Sequence, residues 1–260
     1  MSRTAEDQRR LIVDQFTRQA IPFARMPAHS TEESIRLVRD AAGIGPGDTI
    51  LDLACGPGLL ACDFAEHARH VTGIDLTPAM IEQARALQRA RGLANLAWHV
   101  GDVTSMPFED ASFSVVFTRY SFHHLLDPLT VFAEMVRVVE PGGRVVVVDV
   151  YTTGPEQAEA YDHVERLRDP SHVRALGLDE LTGLFRDAGI SDVTTALYKL
   201  DVDLEELLAA SSPEPGAADR VRRIFADDLG EDRLGVGARV EDGRLRFEFP
   251  TAIVVGRKPG

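Results

Sequence analysis

The stretch Thr49-Ile-Leu-Asp-Leu-Ala-Cys-Gly-Pro-Gly58 constrains this chain more than any other. Ile50, Leu51, Leu53 and Ala54 are apolar on both faces, as a strand buried inside a parallel sheet requires. The run ends in Cys55-Gly56-Pro57-Gly58, where glycine lets the backbone turn sharply and lets a ligand approach with no Cβ in the way. A helical pattern follows at once, with Leu60, Phe64 and His67 at helical spacing. A short second strand, Val71 to Ile74, ends in Asp75. Strand, glycine turn, helix, strand, carboxylate is the layout of a nucleotide site. The turn presents free N–H groups at a helix N-terminus, and the carboxylate at the second strand tip is placed to accept from ribose hydroxyls.

Two cofactor classes fit that layout. Gly56-x-Gly58-x-x-Ala61 matches the dinucleotide fingerprint, with Asp75 nineteen positions after Gly56. The same geometry serves S-adenosylmethionine (SAM), with the turn facing the amino-acid end of the cofactor instead of a pyrophosphate. Asp52 is unusual in a buried strand. An ionised carboxylate is rarely left there unpaired, so it meets turn N–H groups or lies near a cationic ligand. A second carboxylate, Asp102, stands at the tip of the third strand and suits an adenine amino donor. A short-chain dehydrogenase needs a Tyr-x-x-x-Lys pair near the fourth and fifth strands. Here Tyr120 is followed at that spacing by His124, and Tyr161 by Glu165. These residues favour SAM over a dinucleotide.

The net charge of −13 argues against the nucleic-acid backbone as the main partner, since that needs clustered Lys and Arg. It argues equally against an anionic membrane surface. The two cysteines, Cys55 and Cys62, have no disulfide or zinc spacing, so no metal is expected. With no apolar signal core at the N-terminus and no run near the ~18 apolar residues of a membrane span, a cytoplasmic location is expected.

Leu11, Ile12, Phe16 and Ala20 recur at helical spacing, predicting an amphipathic helix over residues 5–19. Pro22 and Pro27 then break the pattern twice, and Ser30-Thr-Glu-Glu33 is a capping box opening a helix that stops at Gly43. From Thr49 to Val150 strands and helices alternate. Thr77-Pro78 caps a helix ending at Gly92; Leu96 to Val100 and Phe113 to Thr118 are strands; Asp127-Pro128 starts a helix closing at Pro141-Gly142-Gly143; Arg144 to Val150 is the fifth strand. Helices are expected over 155–168, 179–188 and up to about Leu229, with late strands at Val193–Leu200 and Leu245–Val255. The fold expected is α/β, Rossmann-like and doubly wound, with a mostly parallel seven-stranded sheet and an antiparallel last strand. Residues 1–43 form a helical arm ahead of it, read as a lid, and residues 44–260 the domain, with helical insertions around 155–175 and 203–230.

The motifs Leu51-Asp-Leu-Ala-Cys-Gly-Pro-Gly58, Gly73-Ile-Asp-Leu-Thr-Pro-Ala-Met80, Gly101-Asp-Val-Thr-Ser-Met-Pro-Phe108, His123-His-Leu-Leu-Asp-Pro128 and Val139-Glu-Pro-Gly-Gly-Arg144 occur in one order. With them the chain resembles class I SAM-dependent methyltransferases, in particular the broad bacterial group that includes the ubiquinone/menaquinone-biosynthesis enzymes. The resemblance is strong over roughly residues 30–150. It implies that Gly56 and Gly58 line the methionine moiety, that Asp75 holds the ribose hydroxyls, and that Leu76 and Met80 lie against the adenine. Asp102 would accept from the adenine amine with Val103 beside it, and Arg119 would lie under the sulfonium. Leu60 replaces a glycine often seen in this turn.

On the acceptor side, Thr118-Arg-Tyr-Ser-Phe-His-His124 follows the fourth strand, where a methyl acceptor meets the cofactor. His123 or His124 is a candidate general base because its pKa lies near neutrality; the plainer reading is that one caps a turn and the other packs. Tyr120 and Tyr151 are candidate walls, with Asp149 on the same side. His172 and Arg168 lie in a polar run read either as a solvated loop or as part of the site. Phe16 and Phe23 are candidate lid contacts. The expected activity is methyl transfer from SAM, with S-adenosylhomocysteine as product, to a small-molecule acceptor whose reactive atom is undetermined. The alternative is a SAM-binding regulatory protein on the same fold. The oligomeric state, a homodimer among the options, is left open.

Overall fold

A computed structural model of the chain describes residues 3–24 and 32–260. At its centre lie five parallel strands: β1 (Thr49–Leu53), β2 (His70–Asp75), β3 (Leu96–Val100), β4 (Phe113–Arg119) and β5 (Val139–Thr152). β9 (Arg244–Arg257) inserts antiparallel between β5 and β7 (Ser191–Asp203). The main path is therefore β3-β2-β1-β4-β5-β9-β7. This is the expected seven-stranded, mostly parallel sheet, with its antiparallel strand one position in from the edge. Two short strands, β6 (Leu176–Gly177) and β8 (Arg239–Glu241), pair with β5 and β9. The strand order reverses between β1 and β4, the switch point at which ligands bind outside the carboxyl ends of a parallel sheet.

The central strands are buried on both faces, and the period of two sorts their side chains. Val116, Val145, Val147 and Val254 pack with α5 (Pro128–Val138) and α7 (Leu178–Asp187) on one face. Val115, Phe117, Val146, Val148 and Val255 pack with α2 (Glu32–Ala42) and α3 (Leu59–Ala65) on the other. A third cluster forms around Val150 at the carboxyl end of β5. It joins α6 (Pro155–Arg168), α8 (Leu204–Ala210) and α9 (Ala217–Asp227) to Phe247 and Phe249 of β9. The expected insertions thus build a lobe beside the sheet's carboxyl edge.

Local signals end most helices where the sequence places them. Thr77 and Pro78 open α4 (Pro78–Arg91), and Gly92 closes it at φ +66°. The Asp127 carboxylate accepts from the Thr130 N–H at 3.2 Å and caps α5. Two expectations change. The first helix, α1 (Ala5–Ala24), runs through Pro22 instead of stopping near residue 19. Only Phe23 and Ala24 follow the proline, so its missing donor disturbs just the last turn. The second break at Pro27 and the capping box at Ser30 lie outside the described residues. β5 starts at Val139, not Arg144, and passes through Pro141-Gly142-Gly143 with Gly142 at φ +78° and a register shift against β4. Among the described residues no helix is long and apolar enough to cross a membrane.

Candidate active site

A cavity of about 220 Å³ opens at the carboxyl ends of the strands around the switch point. Its floor is strained. Ala54, just past β1, and Tyr120, just past β4, both hold left-handed backbone, with φ +50° and +55°. Non-glycine residues stay there only where surrounding contacts over-determine them, commonly at binding sites. Here the Thr118 hydroxyl ties the two tips together by donating to the Leu53 carbonyl at 2.9 Å.

The two glycines of the turn play different parts. Gly56 has φ +53°, and a Cβ there would meet nothing within 4 Å, so the backbone faces open space on the cavity wall. Gly58 has φ +78°, but a Cβ there would stand 2.7 Å from Trp98 and 2.9 Å from Ala84. Gly58 does not line the cavity. The turn packs there against α4 and β3, which leaves no room for a side chain.

Four carboxylates meet the cavity: Asp127, which caps α5, and three at or near the strand tips. Asp75 closes the turn: its oxygens accept from the Gly56 N–H at 2.9 Å and the Thr77 N–H at 2.8 Å. Burial still raises its pKa over those hydrogen bonds. Asp52 is pushed up to about 8, chiefly by burial and then by the Asp75 charge, while Arg119 acts against the shift. Asp102 accepts from the Thr104 N–H and hydroxyl, each at 2.8 Å, and from Arg9 Nε of α1. Burial would raise its pKa, but those donors outweigh it and hold it below the ordinary value. Leu76, Met80, Val103 and Arg119 complete the expected set on the wall. The Arg119 guanidinium lies 5.3 Å from the Tyr120 ring centroid.

A second, smaller cavity of about 60 Å³ adjoins the first, with Phe16, Tyr120 and His124 lining both. His123 lines the second one. Its Nδ1 lies 2.6 Å from Asp149 Oδ1, and Asp149 Oδ2 accepts from the backbone N–H groups of Ser121 and Phe122. Burial would lower the imidazole pKa, but the Asp149 charge and hydrogen bond outweigh it, so the net shift is upward. His124 goes the other way. Burial, and then the charge of His123, pull it down to about 3, and its Nδ1 meets the Ser171 hydroxyl at 3.1 Å.

The remaining substrate-side candidates divide. Phe16 stands edge-on to His124 at 5.1 Å between ring centroids. The Phe23 side chain lies outside the described residues. Tyr151, partly buried, pairs with Leu176 of β6, packs against the cluster on the α5–α7 face and lines neither cavity. His172 is buried and also lines neither cavity. Its Nε2 meets Asp162 at 2.7 Å, and its Nδ1 has no partner among the described residues. The run read as a solvated loop is therefore interior structure. Arg168, partly buried, pairs with Glu165 on the second cavity. The sequence did not point to Arg9, Gln8, Tyr161 or Phe249 at the site; each belongs to a segment that reads as ordinary helix or strand.

Residues 51–147 match the family described as a methyltransferase domain. The chain is 32% identical over 249 residues to the uncharacterized methyltransferase YcgJ of Bacillus subtilis, covering 94% of this chain and 97% of that protein. The crystal structure of YcgJ superposes with a TM-score of 0.81 at 24% identity, over 88% of this chain and 100% of that one. Phosphoethanolamine N-methyltransferase 2 of Haemonchus contortus, solved with S-adenosyl-L-methionine, shares the fold at a TM-score of 0.65. Its identity is 19%, over 88% of this chain and 53% of that one.

Proposed function

Because the chain belongs to the class I SAM-dependent methyltransferases, we propose that it methylates a small-molecule acceptor held between the cofactor cavity and the buried His123–Asp149 pair. The observation that carries this reading is the shared wall: Phe16, Tyr120 and His124 border both cavities, so a ligand in one meets a ligand in the other there.

The residues present suit the cofactor. Gly56 leaves open space where a side chain would stand, and Asp52 is a buried carboxylate whose ionised form is favoured by a nearby cation. Asp75 would hold the ribose hydroxyls, Leu76 and Met80 the adenine faces, and Asp102 with Val103 its amino edge. When bound, the cofactor supplies a methyl group on a positively charged sulfur. The chain's own residues align the acceptor and manage its proton. Asp149 fixes the His123 ring through Nδ1, which leaves Nε2 to take a proton from the acceptor. Phe16 and Tyr120 wall the junction, and much of the rate is expected from alignment there.

Release of S-adenosylhomocysteine with a panel of phenols, quinols, thiols and amines tests the reading, with His123→Asn beside the wild type. A transferring enzyme releases product with at least one acceptor class, and the variant slows it. A protein that binds SAM in a regulatory role gives cofactor binding and no release with any acceptor. Asp75→Ala should weaken SAM binding by on the order of 2 kcal/mol, more than about tenfold; unchanged affinity would remove Asp75 from the site.

A further inference from the structure

Buried carboxylates outnumber buried cations around the second cavity. Glu165 and Asp169 line it, while Asp149 and Asp162 stand behind it, bonded to His123 and His172; their exposures are 4%, 2%, 1% and 7%. Arg168 is the guanidinium on the wall, and it is committed. It forks onto Glu165, with Nη2 at 2.6 Å from Oε2, and donates through Nη1 to the Ser211 hydroxyl at 3.0 Å. Burial drives His124 and His172 toward their neutral forms, whereas Asp149 favours the charged form of His123 and is offset by it. Arg119 lines the cofactor cavity and not this one. The cavity therefore carries a negative excess that repels a carboxylate or phosphate and attracts a cation.

Two further observations point to what fills it. Tyr120, Tyr161 and Phe249 line this small space, and aromatic rings attract cations that reach their π faces. His123 is 8% exposed and lines the cavity, and among the described residues its Nε2 makes no hydrogen bond. In its neutral form His123 thus offers an arriving donor an acceptor already oriented by Asp149.

We infer that the second cavity is the acceptor subsite and that the acceptor is an amine, bound as its ammonium ion. The inference rests on the methyltransferase reading above and names its substrate class. The ammonium gives one proton to His123 Nε2, a step open to the neutral imidazole and so favoured above the raised pKa that Asp149 imposes on it. The freed nitrogen lone pair forms the bond to the methyl carbon, and the electron pair of the broken carbon–sulfur bond stays on sulfur. Positive charge passes from sulfur to nitrogen, into the carboxylate field, which is where preorganised charge lowers a barrier.

Calorimetric binding to the protein saturated with S-adenosylhomocysteine tests this with three probes of one shape: benzylamine, benzyl alcohol and benzoate. Benzylamine should bind, benzoate should not, and benzyl alcohol should be weaker than benzylamine by about tenfold or more. Glu165→Gln should weaken benzylamine and leave S-adenosylhomocysteine binding unchanged. Ala210→Trp, which fills the cavity, should abolish benzylamine binding while the cofactor product still binds. Equal or tighter binding of benzoate or benzyl alcohol overturns the amine assignment. So does failure of benzylamine to bind, and benzylamine binding that survives Ala210→Trp moves the subsite elsewhere. Failure of S-adenosylhomocysteine itself to bind overturns the underlying reading instead.

Discussion

Arg9, on the first helix, donates through Nε to the carboxylate of Asp102, just past the tip of β3. These residues are 93 positions apart in the chain, and their contact draws α1 across the mouth of the cofactor cavity. The same helix reaches the second cavity. The Gln8 side-chain amide donates to the carbonyls of His124 and Ser171, each at 2.7 Å, and Phe16 rests edge-on against His124. One helix thus covers both halves of the site with a handful of polar ties.

We propose that this helix works as a lid. Hydrogen exchange in residues 5–20 should slow when S-adenosylhomocysteine is added, while α2 changes little. Deleting residues 1–27 should leave a folded domain that binds cofactor more weakly. Equal protection of α1 with and without ligand, together with unfolding of the truncated chain, would make the arm core structure.

Asp52 predicts a proton count. Its carboxyl, pushed up to about 8 by burial, is largely protonated near neutral pH. A cation arriving beside it favours the ionised form, so SAM binding should expel a proton. Calorimetry in two buffers of different ionisation enthalpy measures this, and Asp52→Asn should abolish it. Binding with no buffer dependence in the wild type would take Asp52 out of contact with the ligand's charge.

His124 predicts the response to acid. Its folded pKa, about 3, lies below the ordinary imidazole value of about 6.5. Between those values the unfolded chain binds a proton that the folded chain refuses, so stability falls as pH drops from about 6.5 toward 3. His172, also lowered by burial, adds to this slope. His123, raised by Asp149 against its burial, opposes it: its stabilisation is complete below about 6.5 and fades as pH rises through its folded value. Charged groups facing His124 are His123, Asp169 and His172. Thermal melts over this range should be less pH-sensitive in His124→Gln than in the wild type; identical slopes would contradict the assignment.

The cofactor half of the site is legible in the sequence because its signals are local. The apolar runs of β1 and β2, the positive-φ glycine at 56 and the terminal Asp75 lie within one strand–turn–helix–strand unit, and their placement follows from spacing. The acceptor half depends on contacts that spacing does not encode. His123 and Asp149 are 26 residues apart and meet because β4 and β5 are sheet neighbours. His172 sits in a run rich in charge that reads as solvated, yet Asp162 of α6 and the lobe behind it bury it completely. Gly58 looks like a ligand glycine, and only the placement of Trp98 and Ala84 reveals the packing reason for it.

The most direct test of the whole account is a crystal structure of the protein grown with S-adenosylhomocysteine. The ligand should lie with its ribose hydroxyls on Asp75, its adenine between Leu76 and Met80, and its sulfur toward the wall shared by Tyr120 and His124, facing the second cavity. A ligand whose ribose avoids Asp75, or whose sulfur points away from that wall, would contradict the claim that the two cavities form one methyl-transfer site.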